Sequence, residues 1–259
     1  GGGPAGMQAA LTASSRGHEV VLYEKSDKLG GNLILASSHS FKADMKRYLE
    51  WLTRQTQKAA GVTVKLNTEA TVDLVKAENP DVVIVAVGAE PLIPHIPGMD
   101  KSNVAWVGDV LLGRKAVVGE RVVVAGGGLT GCEVALEMAQ MNKKVTIIDM
   151  VDQEQLASDA PGLLRNGLMQ MLNKHGVQFI TEVKLEEISE QGAIVIDKQW
   201  NRFEVPADTV ILSLGFKPCS DVAAAFQDAA LDVYVIGDCR KPRNLKQAIH
   251  DGFNVAVEI

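Results

Sequence analysis

Gly126, Gly128, Gly131 and Asp149 are the residues whose types and spacing have the clearest chemical use in this sequence. In the run Gly126-Gly127-Gly128-Leu129-Thr130-Gly131, Gly126 allows a tight turn and Gly128 has no side chain to block an approaching pyrophosphate. Gly131 permits close packing of a helix on a strand. The N–H groups and positive dipole end of the helix that follows attract phosphate. Asp149 stands where a carboxylate accepts hydrogen bonds from a ribose. The same set recurs as Gly1, Gly3, Gly6 and Glu24, with 23 residues from first glycine to acid in each copy. Two copies at equal spacing imply two dinucleotide sites.

These residues need a strand before the turn, a helix after it and a second strand ending on the acid. In the second copy the apolar runs 122–125 and 145–148 read as buried strands, and 132–141 as the helix between them. In the first copy 4–16 is the helix and 19–23 the second strand. No strand precedes Gly1. Because that strand is central in a doubly wound sheet, the chain is expected to be a piece of something longer, with Gly1–Gly3 frayed.

Further along, Gly30-Gly31 lets a loop lie flat against something or simply turn. Residues 41–60 read as a helix with Met45, Tyr48, Leu49 and Leu52 on one face. A strand at 62–66, a short helix at 71–78 and a buried strand at 82–87 closing on Gly88 follow. Prolines between 91 and 98 suggest a crossing between domains. After Asp149, a helix at 161–175 carries Leu164, Leu168, Met171 and Leu172 at core spacing. A small β meander follows, with Trp200-Asn201 at a turn, and a strand at 209–215 ends on Gly215. The last strand, 231–236, stops at Gly237-Asp238. A helix over 246–257 then turns Ala248, Ile249, Phe253 and Ala256 inward. That strand returns to the first sheet, so residues 1–98 plus 218–259 form one discontinuous domain and 99–217 a domain inserted into it. The predicted fold is α/β, with two Rossmann-like dinucleotide-binding domains.

Hydrophobic residues are 46% and charged ones 22%, as in ordinary globular chains. A net charge of −6 argues against nucleic acid or anionic membrane as partner, and no apolar run is long enough for a transmembrane helix. Cys132, Cys219 and Cys239 are too scattered for a motif disulfide, an iron–sulfur cluster or a zinc site, which fits a reducing cytoplasm and predicts no metal. Each reads as a small buried hydrophobe. Trp51 and Trp106 read as core or rim packing. His18, His39, His95 and His175 fall in loops or at helix ends and are expected at the surface. His250 lies on the helix after Gly237-Asp238, the one histidine near a dinucleotide site.

The ordered set GGGPAG, YEK, LGG, VIVAVGAEP, VVVAGGGLTGCE, LSLGFKP and YVIGDC resembles the flavoproteins with two dinucleotide-binding domains. KSDKLGGNL, FKADMKRYLEWL and NPDVVIVAVGAEPLIPHIPG are most similar to the C-terminal half of the NADH:flavin oxidoreductase, 2-enoate reductase and 2,4-dienoyl-CoA reductase family. The resemblance covers nearly the whole chain. It implies FAD at Gly1, Gly3, Gly6, Glu24 and Gly31, with Gly88, Gly237 and Asp238 in the same site and Asp238 at the ribityl or pyrophosphate end. It implies NADH at Gly126, Gly128, Gly131 and Asp149, with Gly215 along its path. Glu133 resembles an acid that borders the nicotinamide in relatives, although a helix-start acid favoured by the dipole explains it as well. An N-terminal barrel carrying FMN, a four-iron cluster and the substrate site is implied as a partner on the same polypeptide. Two readings stay open. One is a module passing hydride from NADH to FAD and electrons onward to an enoate or dienoyl-CoA type centre; the other is a nucleotide-binding module, holding ADP or FAD, without turnover.

Overall fold

The computed structural model describes residues 1–259, and the chain falls into two compact units. The first comprises Gly1–Ser37, Lys42–Pro91 and Phe216–Ile259; the second comprises Ser38–Phe41 and Leu92–Gly215. Up to Pro91 the elements are α1 (Pro4–Ser15), β1 (Val20–Tyr23), α2 (Asn32–Ala36), α3 (Ala43–Lys58), β2 (Val62–Lys65), α4 (Val72–Ala77), β3 (Val82–Val85) and β4 (Ala89–Pro91). Next come β5 (Val104–Trp106), α5 (Val107–Leu111), β6 (Arg121–Ala125), α6 (Leu129–Gln140), β7 (Lys144–Ile148), α7 (Gly162–Lys174) and β8 (Gln178–Ile180). The antiparallel strands β9 (Val183–Ile188), β10 (Gly192–Asp197) and β11 (Arg202–Pro206) precede β12 (Thr209–Leu212). The chain closes with β13 (Phe216–Pro218), α8 (Ser220–Ala224), β14 (Asp232–Val235) and α9 (Leu245–Glu258).

In the second unit a parallel sheet runs β5-β12-β6-β7-β8. Its strands are short and β-branched, and Val122, Val123, Val124 and Ala125 are all buried, as a strand covered on both faces requires. One face packs on Val134, Leu136 and Met138 of α6 and on Leu168 and Leu172 of α7. The other packs on the meander through Val183, Leu185, Ala193, Val195 and Val205. Trp200, at φ 67°, makes the exposed β10–β11 turn. Leu164 departs from the expected core spacing: it is half-exposed in the first turn of α7, and the core contact begins one turn later at Leu168.

In the first unit β1 pairs only with β2, and β3 only with β14, each in parallel. The β3–β14 pair brings the C-terminal stretch back to the N-terminal sheet. Between β1 and β3 runs a groove of about 530 Å³, walled by Val20–Tyr23 and Val82–Val87 and floored by Ala9, Ala10 and Ala13. Gly1 to Gly3 are anchored rather than frayed: the Gly2 N–H donates to Glu24 and the Gly3 carbonyl accepts from Met7 N–H. Helix α9 starts on a capping box between Asn244 and Gln247. It buries Ala248, Gly252 and Ala256 against α1, and a Cβ on Gly252 would stand 2.3 Å from the Ala5 carbonyl oxygen. This close approach selects the small-residue face, so Phe253, expected inward, points outward and is half-exposed.

Candidate functional site: two matching glycine cradles

Helix α6 begins at Leu129, three residues before the expected start, so Gly131 lies within its first turn. The cause is local: Gly128 is the N-cap in extended conformation, and its carbonyl already accepts from Cys132 N–H at 2.9 Å. In α1, Gly3 holds the same position and its carbonyl accepts from Met7 N–H at 2.9 Å. The two loops agree residue by residue in what surrounds them. A Cβ on Gly6 would lie 1.9 Å from the Gly1 oxygen, and one on Gly131 would lie 1.9 Å from the Gly126 oxygen. A Cβ on Gly1 would meet the Ala86 oxygen at 2.3 Å, and one on Gly126, at φ 101°, the Ser213 oxygen at 2.2 Å. At Gly3 and Gly128 nothing lies within 4 Å of the Cβ position. Gly1, Gly6, Gly126 and Gly131 thus answer to close backbone packing, and one glycine of each loop faces open space at a helix start, as backbone approach by a pyrophosphate needs.

The acids repeat as well. Glu24 Oε2 accepts from Gly2 N–H at 2.8 Å, and Asp149 Oδ2 accepts from Gly127 N–H at 2.5 Å. Glu24 Oε1 also takes the Ser26 N–H and hydroxyl, and Asp149 Oδ1 the Val151 N–H. Burial works to raise the Glu24 carboxyl, but the Ser26 and Gly2 donors outweigh it and hold it below the usual carboxylate range. A carboxylate has about four acceptor positions, so each acid, held by two or three donors, keeps capacity for a ribose hydroxyl.

Around the first cradle, the Gly30 N–H donates to the Gly2 oxygen, and a Cβ on Gly31 would stand 3.0 Å from Gly3 Cα. The paired glycines therefore lie flat against the Gly2–Gly3 backbone. Gly237, at φ 68°, stands beside Ala5, and its N–H donates to Asp251. Asp238 is half-buried; burial raises its carboxyl, opposed by the Arg243 N–H. Gly88 and Gly215, at the ends of β3 and β12, both take positive φ with open space beside them. His250 is exposed on α9, away from the face that packs on α1.

Two features of the second unit escaped the sequence reading. Asp159 Oδ1 accepts from Leu129 N–H at 2.9 Å, placing a carboxylate at the α6 N-terminus. Arg165 donates to the Leu156 and Glu154 carbonyls, which commits its guanidinium to the loop after β7. His39, expected at the surface, is 3% exposed. Its segment clusters with the second unit, where Nδ1 lies 2.7 Å from Glu137 Oε2 and Nε2 lies 3.6 Å from Glu133 Oε2. A loop histidine gave no sign in sequence of carboxylates nearly a hundred residues away. Glu133 itself is 4% exposed, not a surface acid at a helix start. The cysteines are free thiols; burial pushes that of Cys132 up to about 12, and its sulfur faces the Gly127 carbonyl. No helix is long and apolar enough to cross a membrane.

Known proteins are similar to this chain in sequence and fold. The chain is 39% identical over 265 residues to an NADH oxidase of Thermoanaerobacter brockii and 33% identical over 260 residues to a cinnamate reductase of Clostridium sporogenes. All of this chain is covered in each, but only 40% and 38% of those proteins, so it spans about two-fifths of their length. A solved 2-naphthoyl-CoA reductase superposes on the whole chain with a TM-score of 0.88 at 33% identity, again over 39% of its own length. Residues 1–252 match the family described as pyridine nucleotide-disulphide oxidoreductase. With the fold, both glycine cradles and these likenesses in agreement, the chain belongs to the pyridine nucleotide-disulphide oxidoreductase family.

Proposed function

We propose that this chain is an NADH-to-FAD electron-transfer module, with FAD on the first unit and NADH on the second. The observation that carries the reading is the matched pair of cradles: open space at Gly3 and Gly128, with close backbone neighbours at Gly1, Gly6, Gly126 and Gly131. When bound, NADH supplies a hydride and FAD accepts it; the cofactors carry that chemistry. The chain's residues bind and orient. Helices α1 and α6 present their N-terminal ends to the two pyrophosphates. Glu24 and Asp149, already fixed by backbone donors, receive ribose hydroxyls. Gly31 keeps its loop on the first cradle, while Gly88, Gly237 and Asp238 border the FAD and Gly215 borders the NADH. Fixed acceptors and open backbone supply the preorganisation that makes hydride transfer effectively unimolecular.

The electrons then pass to an N-terminal barrel of the same polypeptide bearing FMN and a four-iron cluster, where an enoate or CoA-thioester substrate is reduced, in a reducing cytoplasm. The names of the cinnamate and 2-naphthoyl-CoA reductases support that direction. Purified protein should show flavin absorbance that NADH bleaches under argon, and should reduce ferricyanide but no unsaturated acid by itself. Bound flavin that NADH leaves oxidised would favour a nucleotide-binding module without turnover. Reduction of cinnamate by this chain alone would contradict the assignment.

A further inference from the structure

Strand β14 leads to Ile236, whose N–H still donates to the Val85 carbonyl at 3.0 Å. The next donor, the N–H of Gly237, has turned out of the ladder at φ 68°, and a buried donor must find a partner elsewhere. It finds Asp251 Oδ2 at 3.1 Å, on α9. The same oxygen takes the guanidinium of Arg243, in a partly buried ion pair. Arg243 also donates its backbone N–H to Asp238 Oδ1 at 3.1 Å. Four residues thereby close a circuit: Gly237 to Asp251, Asp251 to Arg243, Arg243 to Asp238, and Asp238 by the peptide bond to Gly237. Both sides of the circuit rest on Ala5. A Cβ on Gly237 would stand 3.0 Å from Ala5 Cβ, and one on Gly252, next to Asp251, would stand 2.3 Å from the Ala5 oxygen. The circuit is therefore pressed on the first turn of α1, the helix that starts at the open Gly3.

We propose that Arg243 and Asp251 are positioning residues of the dinucleotide site on the first unit: their ion pair clasps the Gly237–Asp238 turn onto α1 and fixes the Asp238 carboxylate, with Oδ2 free to accept from the dinucleotide. This rests on the FAD reading above. Any single acceptor would satisfy the Gly237 N–H; a carboxylate paired with the arginine that also holds Asp238 does more. Burial raises the Asp238 carboxyl above its ordinary value; the N–H and charge of Arg243 oppose that rise, and the charge of Asp251 adds to it. Those two are the charged groups that act on Asp238, since α1 and β3 carry none. The pair thus sets both where the carboxylate stands and how readily it takes up a proton, and its two members pull in opposite directions.

That opposition gives the test its sign. A hydroxyl donates to the ionised Asp238, so FAD affinity falls as pH drops through the raised value of this carboxyl. In FAD titrations between about pH 4 and 8, the break in apparent Kd against pH reads Asp238 in the flavin-free protein. Arg243→Met, which keeps the backbone N–H, is expected to move that break up by about one pH unit, and Asp251→Asn to move it down by a similar amount. Both variants lose the ion pair, so both weaken FAD about tenfold at neutral pH. Arg243→Lys keeps the charge and brings affinity back to within about threefold of the parent, with the parental break. A lesion of packing alone moves the two breaks the same way and is not repaired by lysine. The proposal is overturned by breaks that shift in one direction or stay in place, or by FAD affinity within about twofold of the parent in both variants. Parent protein that binds no FAD at any pH would instead remove the FAD reading. Carbon-13 titration of the Asp238 carboxyl in the same variants then decides the clasp: shifts of opposite sign leave it standing, and shifts of one sign remove it.

Discussion

Gly128→Asp should stabilise the protein and abolish its NADH binding, a combination that separates a ligand-facing glycine from a packing one. Gly128 sits at φ −66° and ψ 179°, open to any residue, with nothing within 4 Å of its Cβ position. It is also the N-cap of α6, where Asp exceeds Gly by a few tenths of a kcal/mol and the helix dipole adds about 0.3–1. The sum is near 1 kcal/mol at most, or about 2–4 °C in melting temperature for a chain of this size. Asp159 already takes the Leu129 N–H, so the gain falls toward the lower end. Binding moves the other way. A carboxylate roughly 4 Å from a phosphate charge costs about 4 kcal/mol at an effective dielectric of 20, about three decades in affinity. Allowing for solvent screening, the expected loss is at least about 100-fold. Thermal melts and titration of NADH fluorescence measure the two effects. Gly128→Asp binding NADH within threefold of the parent would refute the reasoning. Gly131→Ala is the control of opposite sign: its Cβ would stand 1.9 Å from the Gly126 oxygen, and overpacking of that kind costs about 1–3 kcal/mol.

Two other expectations follow from the same geometry. Asp149 offers a carboxylate to the ribose and Arg165 is committed to carbonyls, so NADH should be preferred over NADPH by about tenfold or more in kcat/KM, about 1.4 kcal/mol; Asp149→Ser with Met150→Arg should narrow the gap, and equal rates in the parent would sink the idea. The Glu24 carboxyl lies below its ordinary value of 4.5 when folded, so its contribution is complete above that pH and is lost as pH falls through the folded value; acid titration followed by circular dichroism should show a shallower loss in Glu24→Gln, and an unchanged acid limb would count against the Gly2–Glu24 bond.

Both cradles were legible because their signals are local. Glycine spacing, a β-branched run on either side and a terminal acid lie within about one βαβ unit, and that motif carries its own geometry. The pairing of the 231–236 region with the β3 strand was also readable, since both are short apolar runs leading to a glycine. Short elements such as α2, β5 and α5 have too few residues for a period to emerge. Phe253 was misplaced because helical spacing alone does not tell a small-residue face from a large one. The close approach of Ala5 decides it, through Gly252. His39 was missed for a different reason. Its burial depends on two carboxylates from a helix some hundred residues away, and single-residue reasoning places a loop histidine in water by default.

The two cradles differ where a phosphate would arrive, and the difference has a physical consequence. At the first residue of the helix, α1 has Pro4, which carries no N–H, whereas α6 has Leu129, whose N–H is already donated to Asp159. In the first unit a pyrophosphate meets a helix start with one fewer donor and no carboxylate bound at that position. On the proposed assignment, an incoming phosphate at the second would exchange with a carboxylate of the chain itself, so the net gain at that N–H would be the difference between two charge-assisted bonds rather than the whole of one. Departure of the nucleotide then leaves the Leu129 N–H satisfied again by an exposed side chain. On the proposed assignment, binding at the second cradle would thereby be weaker, which suits a nucleotide that must leave after each hydride transfer. The first cradle, lacking that competitor, suits one that stays. Otherwise closely matched glycine loops are set apart by a proline in one and an aspartate thirty residues downstream in the other.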